Sequence, residues 1–369
     1  ADFTDYHTYS DLHYLEPVLD HWRRDWQGAR PWLFGEFCDS DGFRDRPRLL
    51  AAHAGEVPWW LTADNPASVW RPEMQAVLDY DARIAAVTAG APSYDLHAIA
   101  AAQSLMVRKY TLEAVRRRRS VQGYVITGLI DTPIATSGVL DDFGAPKWDP
   151  DIFRRYNDDA ILCLDTGRSR LWQNGGDRPQ RLDVYNWWGG APIQLYVILN
   201  HTELQPIAGA QVTWQVVTQD GAVWESGSWE VARELEPSFP RELGRIVFGA
   251  PLRSAPQCLT LHVEVVGGAL HCRNQWSLWI YPRPRFNPSA ALLYDPSGGL
   301  DAEWCTYATA VSAAELLEHP MSPVVIATVI DEAVRRRLQG GGRVLLLQTG
   351  TAPLPSLRVP FWREAIKLF

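Results

Sequence analysis

One segment, Arg30-Pro31-Trp32-Leu33-Phe34-Gly35-Glu36-Phe37, is a short apolar run that ends in Gly-Glu and is followed by the polar residues 38–42. The pattern predicts a β-strand that delivers the carboxylate of Glu36 at its C-terminal end, just before a loop. A β/α barrel presents its catalytic groups in this way. An isolated Gly-Glu pair is more commonly a strand whose glutamate simply meets water at a sheet edge, so the neighbouring segments must decide between the two interpretations.

Residues 1–154 alternate strand and helix patterns. Strands are expected over residues 1–9, 30–36 and 121–129, and amphipathic helices over residues 12–26 and from residue 94 to residue 118. Polar loops follow the strands, which is typical of a parallel α/β barrel. Because a closed TIM barrel needs eight strands, this region is predicted to be part of a barrel.

A run of four arginines, Arg116–Arg119, closes the second of these helices. The run could form an anion site. Cations in the last turn of a helix also complement its dipole, and such a run then stays solvated. We favour the solvated interpretation.

Residues 155–285 change to short strands separated by turns. Alternating patterns predict strands over residues 181–187, 193–200, 211–218, 244–248, 257–266 and 276–280. The Asp-Gly pair within residues 219–222 predicts a hairpin turn. This spacing is typical of an immunoglobulin-like β-sandwich. The tryptophans at positions 187, 188, 276 and 279 could bind sugar, although packing is the favoured role.

Residues 286–369 return to an α/β pattern after a proline-rich linker over residues 282–288. Apolar strands are expected over residues 290–295, 323–327 and 343–347, with a helix over residues 330–338. Near-continuous apolar strands indicate a parallel sheet that is buried on both faces. The prediction is a truncated doubly wound α/β domain, which gives a multidomain α/β plus β chain.

Composition excludes several classes of protein. The net charge of −8 and the pI of about 5.6 argue against a nucleic-acid binder. The longest apolar runs are too short and too interrupted to span a bilayer. The five cysteines show no spacing that fits a zinc site, so neither a metal nor a cofactor is expected. A soluble protein is predicted, and its compartment, cytoplasmic or secreted, stays open.

Three stretches of the first region resemble glycoside hydrolase family 2, the β-galactosidase, β-glucuronidase and β-mannosidase family. Residues 31–37 are similar to the seventh barrel strand, whose Gly-Glu supplies the nucleophile. Residues 5–9 are similar to the end of the sixth strand. Residues 123–131, with the Gly-Val-Leu-Asp and Gly-x-Pro-Lys signatures at 138–141 and 144–147, are similar to the eighth strand and its exit. The later domains also fit larger members, in which the last one resembles a class I glutamine amidotransferase, here without a working Cys-His pair.

The resemblance implies that Glu36 is the nucleophile of a retaining glycosidase and that the substrate is an oligosaccharide or polysaccharide. It also implies that His7 and Tyr9 lie near Glu36. Asp39 is a candidate for binding sugar hydroxyls, although plain loop polarity would also explain it. The remaining candidates for contact with the sugar, as aromatic platforms or as residues at the end of strand eight, are Trp59, Trp60, Thr127 and Asp131. Thr127 stands where many members of the family carry a tryptophan.

One departure limits this expectation. The acid/base of the family is the glutamate of an Asn-Glu pair, and the sequence contains no Asn-Glu dipeptide. We therefore expect a fragment that carries strands six to eight and the nucleophile, lacks the acid/base and does not hydrolyse glycosides alone. The alternative is a non-catalytic carbohydrate-binding or scaffold protein with a degenerate barrel. The oligomeric state stays open, a homo-oligomer included.

Overall fold

A computed structural model of the chain describes residues 3–7, 15–16, 19, 30–61, 95–133, 135–166, 168–173, 176–181, 183–202, 205–237, 239–283 and 291–347. The described residues form a mixed α/β structure with many strands and few helices. They divide into two compact units, one up to Pro282 and one from Arg283 onward. The predicted boundary at residues 154–155 lies inside the first unit and stays a prediction.

The first unit begins with a parallel three-stranded sheet in the order β1 (Thr4–His7), β2 (Trp32–Phe37) and β3 (Val121–Ile126). On β2, Trp32, Phe34 and Phe37 are buried, and they pack against apolar side chains of the long helix α2 (Leu96–Arg116). Because all three strands run in the same direction, their carboxyl ends meet at one edge of the sheet. The closure of such strands into part of a TIM barrel stays a prediction.

Short helices and turns connect these strands. Helix α1 (Arg46–Ala52) begins after Asp45, whose side chain accepts a hydrogen bond from the amide of Arg48. A 3₁₀ turn covers Trp59–Leu61. Helix α3 (Pro150–Arg154) follows β3 and leads into the antiparallel part of the unit.

Helix α2 joins the parallel sheet to the antiparallel part through a buried carboxylate. The Glu113 side chain is 1% exposed and accepts hydrogen bonds from the ammonium of Lys109 on its own helix. It also accepts hydrogen bonds from the side chains of Asn274 at 2.9 Å and Trp276 at 2.9 Å, both on strand β13 (Leu270–Tyr281). Every donor around this buried charge is thus a fixed part of either α2 or β13.

The solvated interpretation of the arginine run is wrong for the residues at the end of α2. The Nε group of Arg116 donates to the side chain of Asn200 at 2.9 Å, and Arg117 donates to the carbonyl of Leu164 at 2.5 Å. Arg117 and Arg118 both pair with the buried Glu16. Only Arg119 of the run is exposed. These cations bind the end of α2 to its neighbours.

Two further sheets complete the first unit. One has the order β11 (Arg241–Gly249), β8 (Pro192–His201), β4 (Ala160–Asp165). The other has the order β10 (Val223–Val231), β9 (Ala210–Val217), β12 (Gln257–Gly267), β13, β7 (Asn186–Trp188). All pairings in these two sheets are antiparallel except that of β13 with β7. The inward residues of both sheets form one apolar core. Strands β5 (Arg168–Gln173) and β6 (Gly176–Arg181) pair separately. The immunoglobulin-like assignment stays a prediction.

Two of the four tryptophans considered above pack against the core, and the other two are exposed. Trp276 is buried, and the half-buried Trp187 packs on the core and donates to the carbonyl of Val184. Packing therefore describes these two, as the sequence analysis favoured. Trp188 and Trp279 are exposed.

The second unit is a parallel sheet in the order β15 (Thr309–Ala310), β14 (Ala291–Tyr294), β16 (Val324–Ala327), β17 (Val344–Leu346). A 3₁₀ turn (Ala302–Thr306) and helices α4 (Ala313–Glu318) and α5 (Glu332–Gln339) connect the strands. The three strands and the helix expected here match β14, β16, β17 and α5. The buried Arg337 ties α5 to the preceding loop through the carbonyls of His319 and Pro320. The amidotransferase-like assignment stays a prediction.

The buried charge at Glu113 gives a stability prediction. In Glu113→Gln the half-buried Lys109 ammonium loses its counterion, so the free energy of unfolding should fall by about 3–5 kcal/mol. The measurement is urea unfolding followed by tryptophan fluorescence. Asp151→Asn is the matched control because Asp151 and its partner Arg154 are both exposed, and such a pair contributes about 0–1 kcal/mol. Equal losses in the two variants would contradict the structural role of Glu113.

Candidate functional site

Glu36 lies at the carboxyl-end edge of the parallel sheet. It is the penultimate residue of β2, and its side chain is 40% exposed. The next residue, Phe37, accepts a hydrogen bond at 3.1 Å from the amide of Thr127, which follows β3. The peptide bond between Thr127 and Gly128 is cis. The ends of β2 and β3 are thus joined beside Glu36, as expected for a residue presented at the end of a parallel strand.

His7 contacts the Glu36 carboxylate directly. The strand register places His7 beside Glu36, and Nδ1 of the imidazole lies 3.0 Å from Oε2 of Glu36. The other ring nitrogen, Nε2, lies 3.7 Å from Oδ2 of Asp5. The expected closeness of His7 and Glu36 is therefore present in the structure, while Tyr9 lies outside the described residues.

Asp5 is a site residue that the sequence analysis missed. Its Oδ1 accepts a hydrogen bond at 2.7 Å from the amide of Gly35, the residue before Glu36. A Cβ atom at position 35 would lie only 2.6 Å from Oδ1 of Asp5. The glycine of the Gly-Glu pair therefore allows the Asp5 carboxylate to approach the backbone of β2. Asp5 sits on β1, two residues before His7, and that spacing was the available signal.

The carboxylates of Glu36 and Asp5 and the imidazole of His7 determine which reactions this arrangement could support. A half-exposed carboxylate can act as a nucleophile or as a base. An imidazole nitrogen that carries a proton can donate to that carboxylate and fix its orientation. His7 lies between two carboxylates, with Nδ1 facing Glu36 and Nε2 facing Asp5.

The loop after β2 is held from behind by α2. Cys38 adopts the left-handed backbone conformation with φ of 64°, and its carbonyl accepts a hydrogen bond from Arg108 at 2.7 Å. Arg108 is fully buried and also donates to the carbonyl of Ser137, in the loop after β3. Burial raises the pKa of the Cys38 thiol, so this group is a packed thiol rather than a reactive thiolate.

Two aspartates follow in the same loop. Oδ1 of Asp41 accepts a hydrogen bond at 2.8 Å from the amide of Thr136. Burial raises the pKa of the Asp41 carboxyl, and the nearby charge of Asp39 adds to this effect. Oδ1 of Asp39 is buried and makes no hydrogen bond within the described ranges. The role of Asp39 with sugar hydroxyls stays a prediction.

The Asp131 carboxylate forms an ion pair inside the protein. Its Oδ1 accepts a hydrogen bond from Lys147 at 2.6 Å and another from the amide of Gly138 at 3.0 Å, and both charged side chains are buried. Burial raises the pKa of Asp131 and lowers that of Lys147, while each charge opposes the shift in the other. This pair fastens the loop after β3, and contact between Asp131 and a sugar stays a prediction.

The two candidate aromatic platforms differ in their surroundings. Trp59 is 69% exposed in the 3₁₀ turn. Trp60 is half-buried, packs on Leu49 and Leu61, and has the guanidinium of Arg44 5.1 Å from its ring centroid. Packing accounts for Trp60, whereas Trp59 presents a face to solvent.

Neither a metal-ligand cluster nor a helix suited to cross a bilayer is present among the described residues. No cluster of three histidine, cysteine or acidic side chains there could hold a metal ion. None of the helices found there has both the length and the apolar composition needed to cross a bilayer.

Comparisons with known proteins give limited matches. Residues 193–282 match a family described as a domain of unknown function (DUF8488). No curated protein matches the chain in sequence. The solved structures that it resembles include Bacteroides uniformis β-glucuronidase 2, with 12% identity over 79% of this chain and a TM-score of 0.25. They also include Amycolatopsis orientalis exo-chitosanase, with 9% identity over 49% of this chain and a TM-score of 0.31.

A third similar structure is a family 123 glycoside hydrolase from Clostridium perfringens, with 10% identity over 47% of this chain and a TM-score of 0.23. The chain covers 27%, 18% and 38% of the length of these three structures, respectively. All three are named as enzymes that act on glycans.

The Asp131–Lys147 pair gives a pH-dependent prediction. In Lys147→Met the buried Asp131 loses its cation, so its pKa in the folded state rises further above the value of about 3.9 in the unfolded chain. The folded state then holds the proton more tightly than the unfolded state does. The variant should therefore lose stability as the pH rises from about 4 through the folded-state pKa.

Urea unfolding at pH 4.5 and pH 7 measures this change. The deficit of Lys147→Met against the parent chain should reach about 3 kcal/mol at pH 7 and be smaller at pH 4.5. Arg154→Met, which removes an exposed cation, should show no such change with pH. A deficit that is equal at the two pH values would show that Asp131 is not held by Lys147.

Proposed function

We propose that the chain carries part of a glycoside hydrolase site, in which Glu36 is the nucleophile of a retaining β-glycosidase. The observation that supports this most is the placement of Glu36. Its carboxylate is half-exposed at the carboxyl end of a parallel strand and lies 3.0 Å from His7 on the neighbouring strand. The family 2 assignment and the β-specificity rest on the resemblance in residues 5–9, 31–37 and 123–147.

The proposed chemistry begins with attack by Glu36. A carboxylate oxygen forms a bond to the anomeric carbon while the bond from that carbon to the leaving-group oxygen breaks, and the leaving group departs with the electron pair. The product is a glycosyl ester of Glu36, which water then hydrolyses. A proton on Nδ1 of His7 would donate to Oε2 and hold the carboxylate in position.

The second carboxylate of a retaining site would protonate the leaving group. In the family that residues 31–37 resemble, an Asn-Glu pair supplies it, and the sequence of this chain has no Asn-Glu pair. We therefore propose that this chain supplies the nucleophile without that acid/base. Such a site should still react with substrates whose leaving group departs as a stable anion, because those substrates need no proton.

Covalent labelling tests this directly. The chain is incubated with 2,4-dinitrophenyl 2-deoxy-2-fluoro glycosides of glucuronate, galactose and mannose, and peptide mass spectrometry locates any adduct. We expect one of the three sugars to esterify Glu36 and to remain attached, because the fluorine slows hydrolysis of the ester. Glu36→Gln should abolish the adduct. Glu56→Gln, which alters an exposed glutamate of the same region, should leave it unchanged.

Two outcomes would contradict the proposal. One is the absence of an adduct with all three sugars at saturating concentration in a chain whose fold is intact by circular dichroism. The other is an adduct that persists in Glu36→Gln.

The exposure of Trp59 favours a second candidate, which is non-catalytic carbohydrate binding. An exposed tryptophan face can stack on a sugar ring. This candidate predicts glycan binding that Trp59→Ala removes and that Glu36→Gln leaves unchanged, together with no covalent adduct.

A further inference from the structure

The outward face of the five-stranded sheet combines charged, hydrogen-bonding and aromatic side chains. Along β13, exposed residues alternate strictly with buried ones. From position 273 onward the exposed ones are Arg273, Gln275, Ser277 and Trp279. Alternation places them in one row, which runs from a cation through hydrogen-bonding groups to an aromatic ring.

A second row crosses the sheet at the level of Gln275. Strand pairing sets Gln275 opposite His262, His262 opposite Gln215, and Gln215 opposite Ser226. An open groove of about 470 Å³ lies over these side chains. Burial lowers the pKa of His262, and the charge of Arg155 lowers it further. The imidazole is therefore neutral at pH 7 and can both donate and accept a hydrogen bond.

The charges that line the groove sum to a positive value. Arg155, the residue after α3, lines the groove and donates to Oε1 of Gln275 at 3.0 Å. Its buried Nε makes no hydrogen bond to any described residue. Arg273 lies directly opposite Glu264. Glu264 is the acidic residue of the lining, and His271 also contacts it at 2.6 Å. In a chain with a net charge of −8, the described lining of this groove thus holds two arginines and one carboxylate.

Aromatic rings lie at the end of the β13 row. Trp279 is 42% exposed and Trp188 is 51% exposed, and strand pairing sets Trp188 opposite Tyr281. Trp279 lies four positions after Gln275, which corresponds to about 13 Å along a strand. A ligand that contacts both must be longer than one sugar ring.

We propose that this outward face binds a glycan chain that carries carboxylates, such as an oligouronide. Amide, hydroxyl and neutral imidazole groups match the hydroxyls of a sugar. The planar guanidinium of Arg155 matches a uronate carboxylate, and the tryptophans match the apolar faces of sugar rings. The face lies apart from Glu36 along the chain, and the inference does not rest on the catalytic proposal.

Calorimetric titration of the full chain with a galacturonate hexamer tests the inference. Cellohexaose, a neutral hexamer, and hexaglutamate, a charged peptide of the same length, serve as comparison ligands. We expect the galacturonate hexamer to bind, to bind more weakly as salt is raised, and to bind more tightly than either comparison ligand. Glu36→Gln should bind it as well as the parent chain does, which separates this face from the proposed catalytic site.

Two variants locate the binding. Trp279→Ala and Arg155→Gln should each raise Kd about tenfold. Their matched controls, Trp224→Ala on the edge strand β10 and Arg154→Gln at the exposed neighbour of Arg155, should leave it unchanged. If Arg155→Gln does not fold, Trp279→Ala decides alone.

Three results would overturn the inference. The first is no heat of binding with the galacturonate hexamer at millimolar concentration. The second is equal affinity for cellohexaose or hexaglutamate. The third is equal weakening in the variants and in their controls.

Discussion

The buried carboxylate of Glu113 is the interaction on which the first unit depends. A charge in a low-dielectric interior is tolerated only when it is paired and hydrogen-bonded. Its partners are Lys109, Asn274 and Trp276, and the last two lie on β13 of the five-stranded sheet. Helix α2 therefore cannot shift against β13 without depriving the buried Glu113 carboxylate of its hydrogen bonds from Asn274 and Trp276. The arginines at the end of α2 donate further hydrogen bonds that also fix the helix to the antiparallel strands.

The candidate site inherits its geometry from the same helix. Arg108 lies on α2 and donates to carbonyls in the loops after β2 and β3, so it sets both loops at the edge where Glu36 lies. The fixed helix, the buried guanidinium and the parallel register together place the Glu36 carboxylate beside His7. A catalytic group needs this kind of support, because small displacements of reacting groups are costly for rate.

The sequence was informative where local pattern and structure agree. Apolar runs predicted the strand that carries Glu36 and the strands β8, β12 and β17. The resemblance predicted the contact between His7 and Glu36. Strand β10 was missed because it lies at a sheet edge and most of its side chains are polar or exposed. The arginine run was misjudged because its partners, Asn200, Leu164 and Glu16, are distant in sequence. The contact of Asp5 with Gly35 likewise required the register between two strands.

A crystal structure with an iminosugar, whose protonated ring nitrogen replaces the anomeric carbon, tests the central claim about Glu36 most directly. If Glu36 is the nucleophile, we expect this nitrogen to lie about 3 Å from a carboxylate oxygen of Glu36. His7 should remain in contact with Oε2. An iminosugar that occupies only other parts of the chain at saturating concentration, and leaves Glu36 without contact, would contradict the account.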